Sequence, residues 1–218
     1  ITIKNTGLED AISNWAKTGV SPSALNKYNN CSLSFYYHYL AEIKKDDEVD
    51  EFADTSHLGT AVHSALDKGY EKGILNEKLL EDWKPKILKQ IIQEYRAILK
   101  NNNLEEGKNY LSVEIAKKLT QNFLDLEKRE ILKAKQNGEQ ITIIELEDDL
   151  EGSIVVKGEK FNLKGRVDRV DEVGDFLRII DYKTGKVEAG EVTFFNWDEL
   201  SETNKKAKAF QLLMYAYL

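Results

Sequence analysis

The segment at residues 165–186 reads GRVDRVDEVGDFLRIIDYKTGK and contains the residues best suited to chemistry. Asp168 and Asp181 interrupt two runs of strand-forming residues, and Lys183 follows Asp181 by two positions. Acidic residues are depleted in strands, and a buried carboxylate is costly unless it is paired or bound to a metal. The two aspartates therefore call for a partner that offsets their charge.

A hairpin between these two runs predicts where the charged side chains meet. The dipeptide at 174–175 is a natural two-residue turn, because Gly174 can adopt the positive φ that such turns need. The register that this turn sets places Asp168 directly opposite Asp181 on one face of the sheet. Lys183 has the same strand parity as Asp181, so we expect it on that face as well.

Two facing carboxylates are compatible with more than one arrangement. Like charges directly opposite each other destabilise a sheet, which favours a divalent cation, a shared proton or a nearby lysine. Carboxylate oxygens are the ligands that Mg²⁺ prefers, and Lys183 could orient an attacking water or stabilise a developing oxyanion. A solvated hairpin face with Asp–Lys contacts of little energetic value is the alternative. Residue types and spacing alone leave both open.

The elements that must position these residues change type at Gly138. Before it the sequence is mainly helical, with a helix around His63 that is predicted to end at Gly73. After it, β-branched residues and turn signals predict about four strands, and the chain then returns to a helix. The longer helical stretches are at 76–100, 109–138 and 204–218.

Composition describes an ordinary globular chain. Its 218 residues suffice to bury a hydrophobic interior, and 41% are hydrophobic and 32% charged. The net charge of −7 counts against a protein that coats nucleic acid through bulk charge, but it is compatible with a local basic groove. Part of the acidic surplus lies at 44–54, which we interpret as a solvated loop or helix edge.

Several classes of protein are disfavoured by the sequence. The longest apolar stretch is too short to span a bilayer and no signal peptide is visible, so we expect no membrane association. The single cysteine, Cys31, excludes an internal disulfide and suits a reducing cytoplasm, where we expect the protein to act. The sequence lacks an initiator methionine and ends within a predicted helix, so we interpret it as a piece of a longer polypeptide.

The segment at 165–186 resembles the core of the PD-(D/E)XK nuclease superfamily in its RecB-like branch, where a G-x-x-D strand is followed by a hairpin partner ending D-Y-K-T-G. Three further segments occur in the order of that branch. SPSALNKYNNCSLSFYYHYL (21–40) resembles its S-x-S-x-L…C-P-x-x-F-Y-Y segment, LGTAVHSAL (58–66) its G-T-x-x-H helix, and QLLMY (211–215) its Q-x-x-x-Y motif. The resemblance spans residues 21 to 215, with Ser32 replacing the proline after the cysteine.

This resemblance implies an α/β fold. We expect a restriction-endonuclease-like core with a mixed central sheet of four to five strands flanked by helices, plus an N-terminal helical lobe. The expected division is a mainly helical part at 1–138 that carries the His63 helix and a nuclease core at 139–218 with the C-terminal Q-x-x-x-Y helix, together forming one compact domain. The site would form where the His63 helix crosses the sheet face that bears the aspartates.

The resemblance also implies roles for individual residues. Asp168 and Asp181 would be metal-binding catalytic carboxylates, with Lys183 as the catalytic lysine. His63 and the backbone carbonyl of Tyr182 would be further metal ligands, and the metal would be Mg²⁺ or Mn²⁺. Without the resemblance, a lone histidine among small and apolar helical neighbours is more often a packed core residue.

The helix at the C-terminus carries the last motif of the family. Gln211 and Tyr215 are one helical turn apart and would contact the nucleic acid or support the site. On their own they would be part of an unremarkable amphipathic helix. Some relatives bind an iron–sulfur cluster through a cysteine near the position of Cys31 and three later ones. Cys31 is the only cysteine, so we expect no cluster within this chain and interpret Cys31 as an ordinary buried residue.

Other charged residues near the core are compatible with more than one role. Glu145 lies where related proteins often have a glutamate ahead of the G-x-x-D strand, and Glu147 and Asp148 compete with it for the role of a further ligand. Basic residues flank Asp168 and follow the core, where they would meet phosphates or form a solvated face. They are Arg166, Arg169 and Lys186.

The resemblance predicts a Mg²⁺-dependent DNA nuclease. The expected activity is that of an exonuclease module that hydrolyses DNA phosphodiester bonds in DNA-end processing, recombination or repair, with a helicase domain or subunit as partner. One alternative is a catalytically inactive homologue that binds DNA ends or holds a partner protein. A second is a metal-dependent hydrolase with a substrate other than DNA, which the net charge of −7 keeps open.

Overall fold

The structure is a computed structural model that describes residues 6–43, 52–100, 103–202 and 204–218. Residues 44–51, which make up most of the acidic segment at 44–54, lie outside this range. The helices are α1 (Thr6–Lys17), α2 (Pro22–Asn30), α3 (Ser32–Phe35) with a π-helical turn (Tyr36–Leu40), α4 (Thr55–Gly69), α5 (Glu77–Ile98), α6 (Gly107–Gln136), α7 (Ala189–Val192), α8 (Glu199–Glu202) and, after a 3₁₀ turn (Asn204–Lys206), α9 (Ala207–Tyr217). The strands are β1 (Gly73–Leu75), β2 (Ile141–Val156), β3 (Glu159–Val173) and β4 (Phe176–Ile180).

The strands form one four-stranded sheet in the order β1-β2-β3-β4. Pairing within it is antiparallel, and a parallel contact is present as an isolated bridge between Val20 and Leu163. The predicted α/β class with a restriction-endonuclease-like arrangement of sheet and helices is confirmed. The predicted change from helices to strands at Gly138 is also found, since α6 ends at Gln136 and β2 begins at Ile141.

The predicted end of the His63 helix at Gly73 is wrong. The helix α4 ends at Gly69, and the buried Tyr70 that follows is extended. Gly73, with φ 120°, instead begins β1, which pairs with residues 141–143 of β2. This strand is three residues long and is created by a partner almost seventy residues away, so local periodicity does not indicate it.

The described chain divides into two compact units, each drawn from both sides of residue 138. The first unit comprises Ile1–Asp46, Asp149–Arg166 and Val187–Leu218, and the second unit comprises Asp47–Asp148 and Val167–Lys186. Strands β2 and β3 each contribute residues to both units.

The main hydrophobic core lies in the second unit, where α4, α5 and α6 pack with the sheet. Helices α4 and α5 approach closely at Gly69, where a Cβ atom would lie 2.1 Å from Cγ1 of Ile87. Only glycine leaves room for this contact. The fully buried side chains of the core include Leu66, Ile87, Ile91, Tyr95, Leu99, Leu124 and Ile143.

The first unit contains α1 to α3 and α7 to α9, with the distal part of the β2–β3 hairpin. Helix α2 begins with Ser21, whose Oγ accepts a hydrogen bond from the Ala24 N–H at 3.2 Å, and with Pro22 at a position that needs no N–H. Trp15 and Phe35 pack edge to face with ring centroids 4.9 Å apart. No helix among the described residues has the length and apolar character required to cross a bilayer.

Candidate functional site

The β3–β4 hairpin positions both aspartates. Its backbone pairs run from Val173 with Phe176 to Arg169 with Ile180, which confirms the predicted register. Gly174 takes the positive φ of 56° that the turn requires. Asp168 and Asp181 lie one position beyond the last of these pairs.

His63 on α4 meets Asp168. Its Nδ1 atom lies 3.1 Å from Oδ1 of Asp168, and the backbone N–H of Tyr182 donates to the other carboxylate oxygen. Two partners therefore orient this carboxylate. The hydrogen bond to Asp168 raises the pKa of His63, although burial of the imidazole opposes the shift.

Asp181 and Lys183 form a second charged pair. The Nζ atom of Lys183 lies 2.5 Å from Oδ2 of Asp181. The Asp181 side chain is only 9% exposed, while that of Lys183 is 35% exposed. Burial raises the pKa of the Asp181 carboxyl, and the ion pair with Lys183 opposes this shift. Lys183 is thus the member of the pair that solvent or a substrate can reach.

Three side chains form a group that fits a divalent cation. His63, Glu147 and Asp168 each offer a ligand atom, and these atoms lie within 4.8 Å of one another. Carboxylate oxygens suit Mg²⁺ and Mn²⁺, and an imidazole suits other first-row divalent metals as well. Asp181 is not a member of this group. The donor set is therefore one nitrogen and two carboxylates. The Asp181–Lys183 pair lies directly after β4, the strand that pairs with the one carrying Asp168.

Glu147, rather than Glu145, belongs to this group. Glu145 pairs with Lys72, whereas Glu147 has a left-handed backbone with φ 46° inside β2. A non-glycine residue in this conformation within a strand is typical of a bulge, and bulges re-aim side chains next to active sites. Residue spacing does not reveal a bulge, so the sequence alone leaves Glu147 as a competitor of Glu145.

Arg169 does not lie in a phosphate-binding or solvated position, so both interpretations of this residue are wrong. Its side chain is 1% exposed and pairs with Glu127 of α6 and with Asp171 at 2.9 Å. Asp171 is fully buried and also pairs with Arg178 at 2.7 Å. The physical reason is strand alternation, because the odd-numbered residues of β3 from 167 to 171 are buried.

The remaining basic residues near the core are exposed. In the first unit, Nη1 of Arg166 lies 3.4 Å from Oδ1 of Asp149, and both side chains are mostly exposed. Lys186 is exposed at the end of the second unit. A contact of either residue with phosphate stays a prediction.

Gln211 and Tyr215 contact each other on α9, in the first unit. Nε2 of Gln211 donates to the hydroxyl of Tyr215 at 2.7 Å. The buried ring of Tyr215 packs on Gly165, where a Cβ atom would lie 2.7 Å from Cε1 of the ring. The glycine of G-x-x-D and the tyrosine of Q-x-x-x-Y are thus packing partners. This favours a supporting role for Tyr215, and contact with nucleic acid stays a prediction.

Cys31 is exposed, so its interpretation as a buried residue is wrong. It lies between α2 and α3 in an extended conformation with φ −159°. Its backbone N–H donates to the Lys27 carbonyl and ends α2. A residue that links two short helices lacks the neighbours on all sides that burial requires.

The aromatic surroundings of the site could not be found from the sequence. The ring of Tyr182 stands edge to face with His63 at 5.8 Å and with Phe123 of α6 at 5.1 Å between centroids. The amphipathic pattern of 109–138 predicts the helix that carries Phe123. Which turn of this helix lies near the hairpin depends on packing over more than fifty residues of sequence.

The fold and the site together define an α/β protein in which one helix and two strands bring a histidine and two carboxylates together. The family model of the PD-(D/E)XK nuclease superfamily matches residues 19–218. The chain belongs to this superfamily, as its motifs predict.

Several relatives of this chain are named as one subunit of an ATP-dependent helicase/deoxyribonuclease. The chain is 29% identical over 200 residues to the protein of this name from Clostridium perfringens strain SM101, a match that covers 83% of this chain and 16% of the relative. It is 29% identical over 189 residues to the one from Carboxydothermus hydrogenoformans, covering 77% and 16%. For the protein from Acetivibrio thermocellus the identity is 26% over 177 residues, covering 76% and 15%. The chain therefore spans about one sixth of the length of these relatives.

Proposed function

We propose that this chain is a metal-dependent deoxyribonuclease that hydrolyses DNA phosphodiester bonds. The observation that carries the proposal is the group of His63, Glu147 and Asp168 together with the Asp181–Lys183 pair. Membership of a nuclease superfamily supports the reaction type, and the relatives named for a deoxyribonuclease support DNA as the substrate.

The acidic and imidazole side chains would hold the metal. His63, Glu147 and Asp168 supply one nitrogen and two carboxylates, and Asp181 and the Tyr182 carbonyl are further candidate ligands. The donor chemistry fits Mg²⁺ or Mn²⁺. A bound divalent ion polarises the phosphate and lowers the pKa of a coordinated water.

Two features of the structure orient these groups before a substrate binds. Asp168 is held by the His63 imidazole and by the Tyr182 N–H, so its carboxylate does not have to be reorganised. Helix α4, which carries His63, is capped by Asp54, whose Oδ1 accepts from the N–H groups of Ser56 and His57 at 2.8 and 2.9 Å. The rigid helix and strand thus set the distance between imidazole and carboxylate.

Lys183 would act on the substrate directly. Its ammonium is partly exposed and can donate to a phosphate oxygen on which negative charge develops, or it can orient the attacking water. The nearby Asp181 pairs with the lysine and holds its flexible side chain at the site. Hydrolysis adds water across the P–O bond, so a proton leaves the attacking water and one is taken up by the leaving oxygen.

The proposed activity is, more specifically, that of an exonuclease in DNA-end processing. The relatives are named for a helicase as well as a deoxyribonuclease, and they are about six times longer than the matched region. We therefore propose that the chain acts on DNA ends in recombination or repair, next to a helicase domain or subunit. A cytoplasmic setting belongs to the same proposal.

The test is hydrolysis of end-labelled DNA by the purified chain. Linear single-stranded, linear double-stranded and circular DNA would be incubated with MgCl₂, with MnCl₂ and with EDTA. We expect cleavage only with a divalent metal, with linear DNA degraded and circular DNA left intact. Asp168→Asn and Asp181→Asn should each abolish cleavage, and Lys183→Ala should slow it by about 10²–10³-fold. Glu145→Gln, which lies outside the metal group, should leave cleavage in place.

The outcomes separate the proposal from its alternatives. If the folded, unsubstituted chain cleaves no DNA in the presence of a divalent metal, the proposed deoxyribonuclease activity is refuted. Retained binding to DNA ends in that case would indicate an inactive nuclease-like domain. Cleavage of circular DNA would support nuclease activity but contradict the proposal that the chain is an exonuclease.

A further inference from the structure

A cavity of about 220 Å³ adjoins the Asp181–Lys183 pair in the second unit. Helix α4 contributes Val62 and Leu66 to its lining, and α6 contributes Leu119, Thr120 and Phe123. The remaining wall is the segment 180–184, which contains the ion pair. The cavity therefore connects an apolar space between two helices with charged residues of the proposed reaction.

The lining divides by chemistry. The two helices supply mainly aliphatic and aromatic surface, and Val62, Leu66 and Thr120 are buried. The hydroxyl of Thr120 donates to the Ala116 carbonyl at 2.9 Å, so its proton is already engaged. Among the described lining residues, the charged groups come from the segment 180–184 alone. An occupant would thus place an apolar, flat or compact part between the helices and a polar part next to Lys183.

The exposure of the lining indicates where an occupant enters. Leu119 is 36% exposed and the Lys183 side chain 35%, whereas Leu66 and Thr120 are almost fully buried. The opening therefore lies beside Leu119 and Lys183. The volume is below the roughly 300 Å³ at which pockets for drug-sized ligands begin. One ring system fits this size better than two stacked ones.

We propose that this cavity receives the base of one unstacked nucleotide next to the phosphate that is hydrolysed. The inference rests on the proposed function, because it takes the polar part of the occupant to be a DNA phosphate near Lys183. Bases gain from contact with aromatic and apolar side chains, and Phe123 and Leu119 supply that surface. A base inside a duplex is stacked and paired, so the substrate has to be single-stranded or frayed at this position.

The cavity should accept different bases with little preference. Sequence is read through hydrogen bonds that match the edges of a base. The helical residues described in the lining are uncharged, and Thr120 donates to its own helix. Contact between the base and the helical wall therefore depends on its flat apolar faces, which all four bases have.

The test uses methyl NMR of the whole chain, titrated in the presence of MgCl₂ with dAMP, dTMP and 2-deoxyribose 5-phosphate. We expect both nucleotides to shift the methyl signals of Val62, Leu66 and Leu119, with affinities within about threefold of each other. The sugar phosphate lacks the base and should bind at least about tenfold more weakly. These mononucleotides contain no phosphodiester bond, so the result does not depend on catalysis.

Leu119→Trp fills the opening and should weaken binding of dTMP at least about tenfold. Leu111→Trp is the matched control, since it introduces the same side chain two turns earlier on α6 at a residue that is 58% exposed and outside the lining. Equal binding of dTMP and the sugar phosphate, or an equal effect of both substitutions, overturns the proposal. Absence of shifts at the three methyl-bearing residues overturns it as well.

Cleavage supplies a second measurement. One abasic nucleotide in a single-stranded oligonucleotide should slow hydrolysis of an adjacent bond about tenfold in the unsubstituted chain and less than about twofold in Leu119→Trp. Unchanged cleavage next to the abasic position would reject the cavity as a base site while the nuclease stands. Base-dependent NMR shifts in a chain that cleaves no DNA would reject the nuclease while the base site stands.

Discussion

Two clusters of charged side chains are built around the β3–β4 hairpin of the second unit, and they differ in the balance of their charges. We call Glu127, Arg169, Asp171 and Arg178 the buried network, and His63, Glu147, Asp168, Asp181 and Lys183 the site cluster. The buried network contains two cations and two anions in contact, and its partly exposed member Arg178 also lies 3.9 Å from Glu130 at the surface. The site cluster contains three carboxylates against one lysine and a titratable histidine.

This difference in charge balance indicates a structural role for the buried network and a reactive role for the site cluster. Opposite charges that are fully desolvated stabilise a fold only when each has its partner, as Arg169 does with Glu127 and Asp171. The site cluster has an excess of negative charge and is partly exposed, so it can accept a cation and a substrate. Charge on a strand is therefore no indicator of chemistry until its compensation is known.

Tyr182 supports the site cluster. Its backbone N–H donates to Asp168 of the site cluster, while its ring is buried between His63 and Phe123. Burial raises the pKa of its hydroxyl well above the ordinary value. That hydroxyl has no hydrogen-bond partner among the described residues. The ring thus holds the backbone that orients Asp168 through packing rather than through its polar group.

The largest effect should come from unbalancing the buried network. Arg169→Met leaves Glu127 and Asp171 buried without their main counter-charge, so we expect a loss of about 3–5 kcal/mol in the free energy of unfolding. Urea unfolding followed by circular dichroism measures it. In Arg166→Met the loss should stay below about 1 kcal/mol, because its pair with Asp149 is solvated. Similar losses in both variants would contradict a structural role of the network.

Removing the lysine of the site cluster should affect the reaction more than the fold. Lys183→Ala deletes a donor to the developing charge, for which we expect a decrease of about 10²–10³-fold in kcat. Initial rates on linear DNA measure it, with Lys186→Ala as the exposed control three residues later. A decrease of the same size in the control would assign the effect to general charge rather than to the site.

Two matched substitutions on β2 test whether Glu147 or Glu145 is the metal ligand. Glu147→Gln removes a ligand charge and should raise the Mg²⁺ concentration for half-maximal cleavage at least about tenfold, since even residues behind the ligands change affinity by about 10–100-fold. Glu145→Gln breaks an exposed contact with Lys72 and should change it less than about twofold. The reverse order would restore Glu145 as the ligand.

The smallest effect should come from the hydroxyl of Tyr182. Tyr182→Phe removes a buried polar group that lacks a partner among the described residues, so the free energy of unfolding should change by less than about 1 kcal/mol. Tyr182→Ala also removes the ring and should cost about 3–5 kcal/mol. Thermal unfolding of both variants measures the contrast. A large loss in Tyr182→Phe would show that the hydroxyl belongs to the buried network.

Local patterns of the sequence sufficed for the hairpin and its charges. The turn at Gly174 and strand alternation predict the pairing that places Asp168 and Asp181 next to the Arg169–Ile180 pair, and the structure has this register. The motifs at 21–40, 58–66, 165–186 and 211–215 predict the family, which the match over 19–218 shows. These features depend on spacing within a few residues or on the order of motifs, both of which the sequence displays.

Tertiary structure alone decided which charged residues belong together. Alternation distinguishes Arg169 from Asp168, but only packing against α6 supplies Glu127 and buries the arginine. Glu147 lies beside His63 and has a left-handed backbone. Residue spacing in the sequence does not predict this conformation. The physical reason is that periodicity sets the face on which a side chain lies. Its burial and its partner come from elements far away in the sequence.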